Sequence, residues 1–403
     1  MSKLSNYVIK IPIDDTVYYY NLIDGDFVKE NELTAERYNF FIDENKNEFD
    51  ELIKYNNKLR EESDFMCLTL VVTKRCNLKC VYCFEGTNHI KLDISSISII
   101  EDIIEKYKIL NSNFKRLVVF WFGGEPLINM DYILEINKAL KNLTKTLNLQ
   151  YTSRIITNGY LLDNLIPYIN ELNLTDIQIT LDGTKEVHDK RRKTIDGKGS
   201  FDKIIENIKN IDEKVDLIIR TNVDSNNIEN IFELYDFLKN ININPKVDLY
   251  FQPMLVENYG GKSECYMSNM PNNDVLLKRF LELQMYTNTL EKVSFIKAYC
   301  NVNFPGSLVV NNDGNIFKCW AAIENEENSK GNLYENCNVL EHMNYEPFDL
   351  VNEKCKICTF FPACMGGCKY KKYDVKECLK RKKIIIERIK LLIQNKEKTS
   401  EIK

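Results

Sequence analysis

The sequence predicts an α/β protein built on a partial (β/α)6 TIM-like barrel, with a small α+β module before it and a cysteine-rich domain after it. Three observations carry this expectation. From Cys67 to about residue 290, apolar β-prone runs alternate with helical patterns six times in succession, which implies a parallel sheet. Before residue 66 lie two short β-like runs and two helical stretches. After residue 290 the alternation stops and cysteines crowd the chain. The expected divisions are therefore 1–65, 66–290 and 291–403, and 403 residues give room for two or three domains of roughly 100–200 residues each.

In the first module, residues 7–13 and 16–22 read as β-runs joined around Asp14-Asp15. A turn at Asp24-Gly25-Asp26 follows, then helical stretches from about Thr34 and Asn45. The barrel strands are expected at residues 67–73, 116–122, 151–156, 176–181, 216–221 and 247–251. Between them apolar residues recur at helical spacing, as in Ile97, Ile100, Ile103, Ile104 and Tyr107, and again in Ile133, Ile136, Leu140 and Leu143. Six units fall short of the eight of a closed barrel, so a partial barrel is the first reading and an open doubly wound sheet the second. Either way, function gathers at the C-terminal ends of the strands. Residues 306–319 read as a hairpin turning at Asp313-Gly314. The final helix, about residues 379–395, has an Ile/Leu face for packing and a Lys/Arg face for solvent.

Composition narrows the function. Lys plus Arg number 54 and Asp plus Glu 59, a net charge of −5, so no excess of base exists to hold a nucleic acid. Hydrophobic residues at 44% and charged residues at 28% are those of a soluble globular chain, which excludes disorder as the main state. No apolar run reaches the roughly 18 residues of a membrane span. The N-terminus turns acidic at Asp14-Asp15 without a secretory pattern, so a cytoplasmic location and no membrane partner are expected. The 13 cysteines are the informative number, because in a reducing compartment clustered thiols are metal ligands rather than disulfides. Only Cys67 and Cys265 stand apart from two groups, and soft thiolates in such numbers select iron–sulfur clusters or zinc.

The first group, Cys76-x3-Cys80-x2-Cys83, directly follows the first barrel strand. Three thiolates leave one iron of a four-iron cluster open to a small molecule, whereas a closed site takes four. The alternative is a zinc knuckle that borrows a distant ligand such as His89. With Gly123-Gly124-Glu125 after the second strand, Thr157-Asn158-Gly159 after the third and Thr180-Leu181-Asp182-Gly183 after the fourth, the chain resembles a radical S-adenosylmethionine (SAM) enzyme. The resemblance implies that Cys76, Cys80 and Cys83 hold a 4Fe–4S cluster whose open iron chelates SAM. It implies that the glycines and Glu125 meet the SAM amino group, with Asn158 in the same cofactor site. Thr180 and Arg192, the arginine of His188-Asp189-x2-Arg192, would contact the SAM carboxylate end, and Tyr82 would lie over the adenine. His188 and Asp182 would either serve the site or shape its loops.

The second group reads Cys300-x13-Gly314-x4-Cys319, then Cys355-x2-Cys358-x5-Cys364-x3-Cys368, then Cys378. This order is similar to the SPASM domain, with a pair of zinc ribbons as the alternative. The resemblance implies two auxiliary 4Fe–4S clusters, three in all. Cys355, Cys358, Cys364 and Cys378 would hold the outer one, and Cys300, Cys319 and Cys368 the inner. The fourth inner ligand stays open. Ser294 stands where some relatives have cysteine, so Cys337 or Cys265 would serve, or the site is open and able to bind a substrate thiolate. The N-terminal β-then-α order is similar to the leader-binding element of peptide maturases, which takes an extended leader as an added strand; a structural cap is the other reading. Together the resemblances imply a radical SAM maturase of a ribosomally made peptide or protein, fed by flavodoxin or ferredoxin. Bound SAM would be cleaved to a 5′-deoxyadenosyl radical that takes hydrogen from an unactivated carbon. The preferred product is a cysteine thioether crosslink. Alternatives are a carbon–carbon crosslink, epimerisation, formylglycine formation in a sulfatase, or a non-catalytic iron–sulfur or zinc protein that binds peptides.

Overall fold

The computed structural model describes every residue except Met1, Ala35, 84–88, 257–273, 298–299, 336–338, 340–351, 369–374 and 402–403. They form two compact units. The first is Met1–Glu62 with Leu290–Asn303 and Glu346–Lys403, and the second is Ser63–Thr289 with Phe304–Tyr345.

The first unit opens with β1 (Ser2–Leu4), then β2 (Val8–Ile13), β3 (Thr16–Asn21) and β4 (Phe27–Lys29), with β3 central in an antiparallel three-stranded sheet. Asp14 takes a left-handed conformation (φ 49°) to turn the β2–β3 hairpin. The helix expected from Thr34 does not form. Tyr38–Phe40 makes one 3-10 turn, and β5 (Phe41–Asp43) pairs with β1 instead. The reason is tertiary. Phe40 packs with Val8, Tyr19 and Val28, and the Asn39 carbonyl accepts from the Asn21 side chain at 2.5 Å. α1 (Glu48–Glu61) starts where expected, because Asn47 caps it by accepting from Phe49 N and Asp50 N.

The end of the chain returns to this same core. The helix Val375–Glu401 is longer than expected, and its Ile389 and Ile393 pack with Tyr7, Ile11, Tyr20, Leu22 and Leu52. Tyr20 also donates to the carbonyl of Val293 at 2.7 Å. Each of these buried side chains contributes about 1.5–3 kcal/mol. Deleting residues 1–60 is therefore expected to abolish the cooperative unfolding of this unit, followed by helical circular dichroism on heating. An unchanged transition in the truncated chain would show that the C-terminal helix keeps its core alone.

The second unit holds β6 (Phe65–Thr73), β7 (Leu78–Cys80), α2 (Ser95–Leu110), β8 (Arg116–Gly123), α3 (Met130–Thr146), β9 (Gln150–Thr157) and β10 (Leu174–Thr180). It continues with α4 (Lys185–Arg191), β11 (Arg192–Thr194), α5 (Phe201–Lys209), β12 (Val215–Val223), α6 (Ile228–Lys239), β13 (Val247–Leu255) and α7 (Asp274–Tyr286). β14 (Ser307–Val310) and β15 (Ile316–Phe317) complete it. The main sheet has the order β13-β12-β10-β9-β8-β6-β14-β15. All six expected strands are present, parallel, and in unbroken sequence order, so the sheet is not doubly wound. Right-handed crossovers that always step the same way put the helices on one face. Leu68, Leu117, Ile155, Ile177 and Leu217 accordingly share one core with Ile104 of α2 and Ile136 of α3.

Two details depart from the expected pattern. Between β9 and β10 the crossover is a pair of 3-10 turns, Leu162–Asn164 and Ile166–Tyr168, rather than a helix. The expected hairpin at 306–319 forms, but its first strand joins the barrel sheet. β14 runs parallel to β6 with Ser307 opposite Cys67, and Cys67 N donates to the carbonyl of Gly306 at 2.9 Å. Cys67 itself is a buried core residue, its thiol pushed up to about 11 by burial. Among the described residues no helix is long and apolar enough to cross a membrane.

Candidate active site

The three-cysteine loop leaves the C-terminal end of β6 and is held by backbone before any ligand is considered. β7 pairs antiparallel with β11, setting Cys80 opposite Arg192, Lys79 opposite Lys193 and Leu78 opposite Thr194. Val81 N donates to the carbonyl of Arg191 at 3.0 Å, and Ile195 N to that of Asn77 at 3.1 Å. Within the loop, Leu78 N points at Cys76 Sγ, 3.4 Å away. Sequence periodicity could not show this pairing, since each strand has only three residues.

Gly123 and Gly124 press on the same loop. A Cβ at Gly123 (φ +146°) would sit 2.2 Å from the carbonyl of Thr73, and one at Gly124 would sit 2.7 Å from that of Lys74. Gly124 N and Glu125 N donate to the carbonyls of Thr73 and Arg75 at 3.0 and 2.9 Å. The close approach these glycines permit is thus to the backbone that carries the cysteines. Glu125 is fully buried. Its carboxylate accepts from Thr157 Oγ1 at 2.7 Å, Asn158 N at 2.8 Å and Leu127 N at 3.1 Å. Burial pushes this carboxyl up to about 7 against the pull of those three donors. Asn158 Nδ2 donates to Asn77 Oδ1 at 2.7 Å and lies 3.7 Å from Cys76 Sγ. The ends of β8 and β9 therefore meet the cysteine loop directly.

The end of β10 supplies a second network. Thr180 is its last residue and is buried. Asp182, fully buried, accepts from the Tyr82 hydroxyl on one oxygen and from Asn222 N, at 3.0 Å, on the other. Arg192 donates to the Tyr82 hydroxyl and comes within 3.7 Å of Asp182 Oδ2. Arg191 sits 5.2 Å from the centre of the Tyr82 ring and pairs with Asp224 at 2.9 Å. Asn222 Nδ2 also donates to the Tyr82 hydroxyl, at 3.0 Å. His188 is buried, and burial, reinforced by Arg192 and Arg191, holds it well below the usual imidazole range. Neutral, it accepts the Asp182 N–H at Nδ1 (3.3 Å) and lies 3.0 Å from Ser200 Oγ, which donates to the Arg192 carbonyl at 2.6 Å. His188 shapes loops; Asp182 is the hub joining Tyr82 to Arg192. Asn222, Arg191 and Asp224 had no motif to announce them.

The residues fit a cluster with a carboxylate-bearing small molecule beside it. Arg192 Nε and Asn77 Nδ2 are buried donors with no hydrogen-bond partner among the described residues, and both flank the thiols. Burial pushes the Cys76 thiol up to about 12, a cost that iron ligation reverses.

In the first unit, Cys355, Cys358, Cys364, Cys368 and Cys378 line one cavity. The turns that bring them there are local. Cys358 N donates to the carbonyl of Cys355 at 3.1 Å, and Gly367 N to that of Cys364 at 3.0 Å. Met365, Gly366 and Gly367 are all left-handed (φ 48°, 80° and 85°). Cys300 belongs to this unit and Cys319, just after β15, to the other, so the inner trio is divided between units. Cys265 and Cys337 lie outside the described residues.

The Radical SAM superfamily model matches residues 70–238. The cysteine-type anaerobic sulfatase-maturating enzyme of Clostridium novyi (strain NT) is 28% identical over 335 residues, 74% of this chain and 86% of that enzyme. Among solved structures, native anSMEcpe with bound AdoMet and Kp18Cys peptide matches with a TM-score of 0.61 at 20% identity, over 82% of this chain and 98% of that one. Streptococcus suis SuiB bound to its precursor peptide SuiA matches with a TM-score of 0.51 at 15% identity, over 92% and 96%. These structural likenesses speak for the fold, and the sequence matches for descent. With its cysteine loop clamped at the barrel's C-terminal rim, the chain carries a radical SAM domain and is homologous to the anaerobic sulfatase-maturating enzymes.

Proposed function

We propose that the protein matures a cysteine-containing peptide, forming a thioether crosslink, in a cytoplasmic setting supplied with electrons by flavodoxin or ferredoxin. The observation that carries the reading is the joint presence of the clamped three-cysteine loop and the five-cysteine cavity. The names of the relatives, a sulfatase maturase and a precursor-bound SuiB, support a peptide or protein substrate. Bound at the loop, a 4Fe–4S cluster with SAM supplies a 5′-deoxyadenosyl radical able to take hydrogen from an unactivated carbon.

The chain's own residues bind and orient. Glu125, anchored by Thr157 and Asn158, offers carboxylate charge to the SAM amino group. The Nε of Arg192, without a hydrogen-bond partner among the described residues, serves the SAM carboxylate, as does Thr180 at the end of β10. Tyr82, fixed by Asp182 and Asn222, presents its ring to the adenine. Cys355, Cys358, Cys364 and Cys378 hold the outer auxiliary cluster. The order of Cys300, Cys319 and Cys368 in the sequence supports an inner cluster as well, three clusters in all. Residues 1–65 take the leader as an added strand along the β2-β3-β4 sheet.

Similarity to cysteine-type maturases favours a second reading, oxidation of a sulfatase cysteine to formylglycine. Anaerobic turnover with SAM, dithionite and a cysteine-bearing precursor separates the two by mass. A thioether loses two hydrogens and keeps sulfur; formylglycine also loses two hydrogens but exchanges sulfur for an aldehyde oxygen. No 5′-deoxyadenosine with any peptide would defeat both.

A further inference from the structure

We propose that the rim of the five-cysteine cavity is the docking surface for a small acidic one-electron carrier protein. The proposal rests on the reading that Cys355, Cys358, Cys364 and Cys378 hold a cluster. Lys354, Arg381 and Lys382 line the cavity together with those cysteines. Lys356, Lys376, Lys380 and Lys383 are exposed on the same two segments. Over residues 352–358 and 375–383 that makes 7 basic residues against 2 acidic ones, Glu353 and Glu377, in a chain whose net charge is −5. Both acids are already engaged, Glu353 with Lys356 at 2.6 Å and Glu377 with Arg381 at 3.5 Å.

The helix begins at Val375, and Lys376, Lys380, Arg381, Lys382 and Lys383 all fall in its first three turns. In the first of these the macrodipole is positive and favours acids, so Lys376 is placed against the helix's own preference. Five bases within residues 375–383 suit an anionic cluster within and an acidic partner without.

The surface also has an apolar centre. Val375 and Leu379 line the cavity and are 54% and 61% exposed, and Ile357, beside Cys358, is 88% exposed. A few apolar side chains inside a charged rim suit a small transient interface, of the size used in redox encounters. A large obligate partner would need a broader apolar face. In the docked complex one electron passes from the reduced carrier to the outer cluster. The carrier's cofactor is oxidised by one electron and the cluster reduced by one, with no bond made or broken.

The test uses iron-loaded protein and an acidic flavodoxin, with affinity read by calorimetry and cluster reduction by stopped-flow absorbance. Affinity is expected to fall about tenfold or more when ionic strength rises beyond about 0.1 M, where the Debye length is near 10 Å. K380E/K383E should lower affinity at low salt by about tenfold or more. Leu379→Ser should weaken binding without changing the salt dependence. Dithionite-driven SAM cleavage should stay unchanged in both variants. Equal carrier affinity in wild type and both variants overturns the proposal. So does affinity for phosphatidylglycerol vesicles with none for flavodoxin. Loss of dithionite-driven cleavage in the wild type would instead strike the radical SAM reading, leaving the binding result to judge the surface.

Discussion

Replacing Cys76, Cys80 and Cys83 together by Ala is expected to remove about four irons per chain and all formation of 5′-deoxyadenosine, while about eight irons remain at the auxiliary sites. The loop should survive the change, because its hold is mainly backbone pairing and close packing, with Leu78 N and Asn158 Nδ2 the only contacts described above to a thiol, that of Cys76. β7 stays paired with β11, and Gly123 and Gly124 still pack on the carbonyls of Thr73 and Lys74. Loss of activity therefore reports ligation rather than unfolding. Iron and sulfide analysis, together with chromatography of the SAM products, checks the result. Full SAM cleavage by the triple variant would remove the catalytic cluster from this loop.

Much of this site was legible in the sequence because its parts are local. Cys76, Cys80 and Cys83 lie within one turn-rich segment, and Glu125 and Asn158 each sit one or two residues past a strand that its apolar alternation revealed. The six strands were readable for the same reason, each being a β-prone run bounded by turn residues. What escaped was pairing between distant segments. Asp182 joins Tyr82, a hundred positions earlier, to Asn222, forty positions later, and no spacing rule links the three. The union of β2, β3 and α1 with the C-terminal helix in one core was hidden likewise. Each segment shows an apolar face, but a face does not name its partner. The missing helix near Thr34 is the converse case, where Phe40 and Asn39 were drawn into contacts that local propensity could not weigh.

Asp182→Ala is expected to cost about 3–5 kcal/mol, the range for removing one member of a buried charge network. Against a total stability of about 5–15 kcal/mol this is a large fraction. The cost falls unevenly. Arg191 keeps Asp224 at 2.9 Å, but Arg192 loses its only paired carboxylate among the described residues, and the Tyr82 hydroxyl loses its acceptor. Asp182→Asn tests position apart from stability. The amide oxygen can still accept from Asn222 N, so part of the fold energy returns, while the charge that orients Arg192 is gone. The Asp182→Asn variant should therefore unfold at a denaturant midpoint between those of Asp182→Ala and the wild type, yet bind SAM about tenfold or more weakly, since hydrogen bonds to charged groups carry about 1.5–3 kcal/mol. Equilibrium denaturation and SAM titration of the same reconstituted protein read the two effects separately. If the Asp182→Asn variant kept wild-type SAM affinity along with its stability, Asp182 would be a scaffold residue alone, and the orientation of Arg192 would have to come from Tyr82 and the β7–β11 pairing.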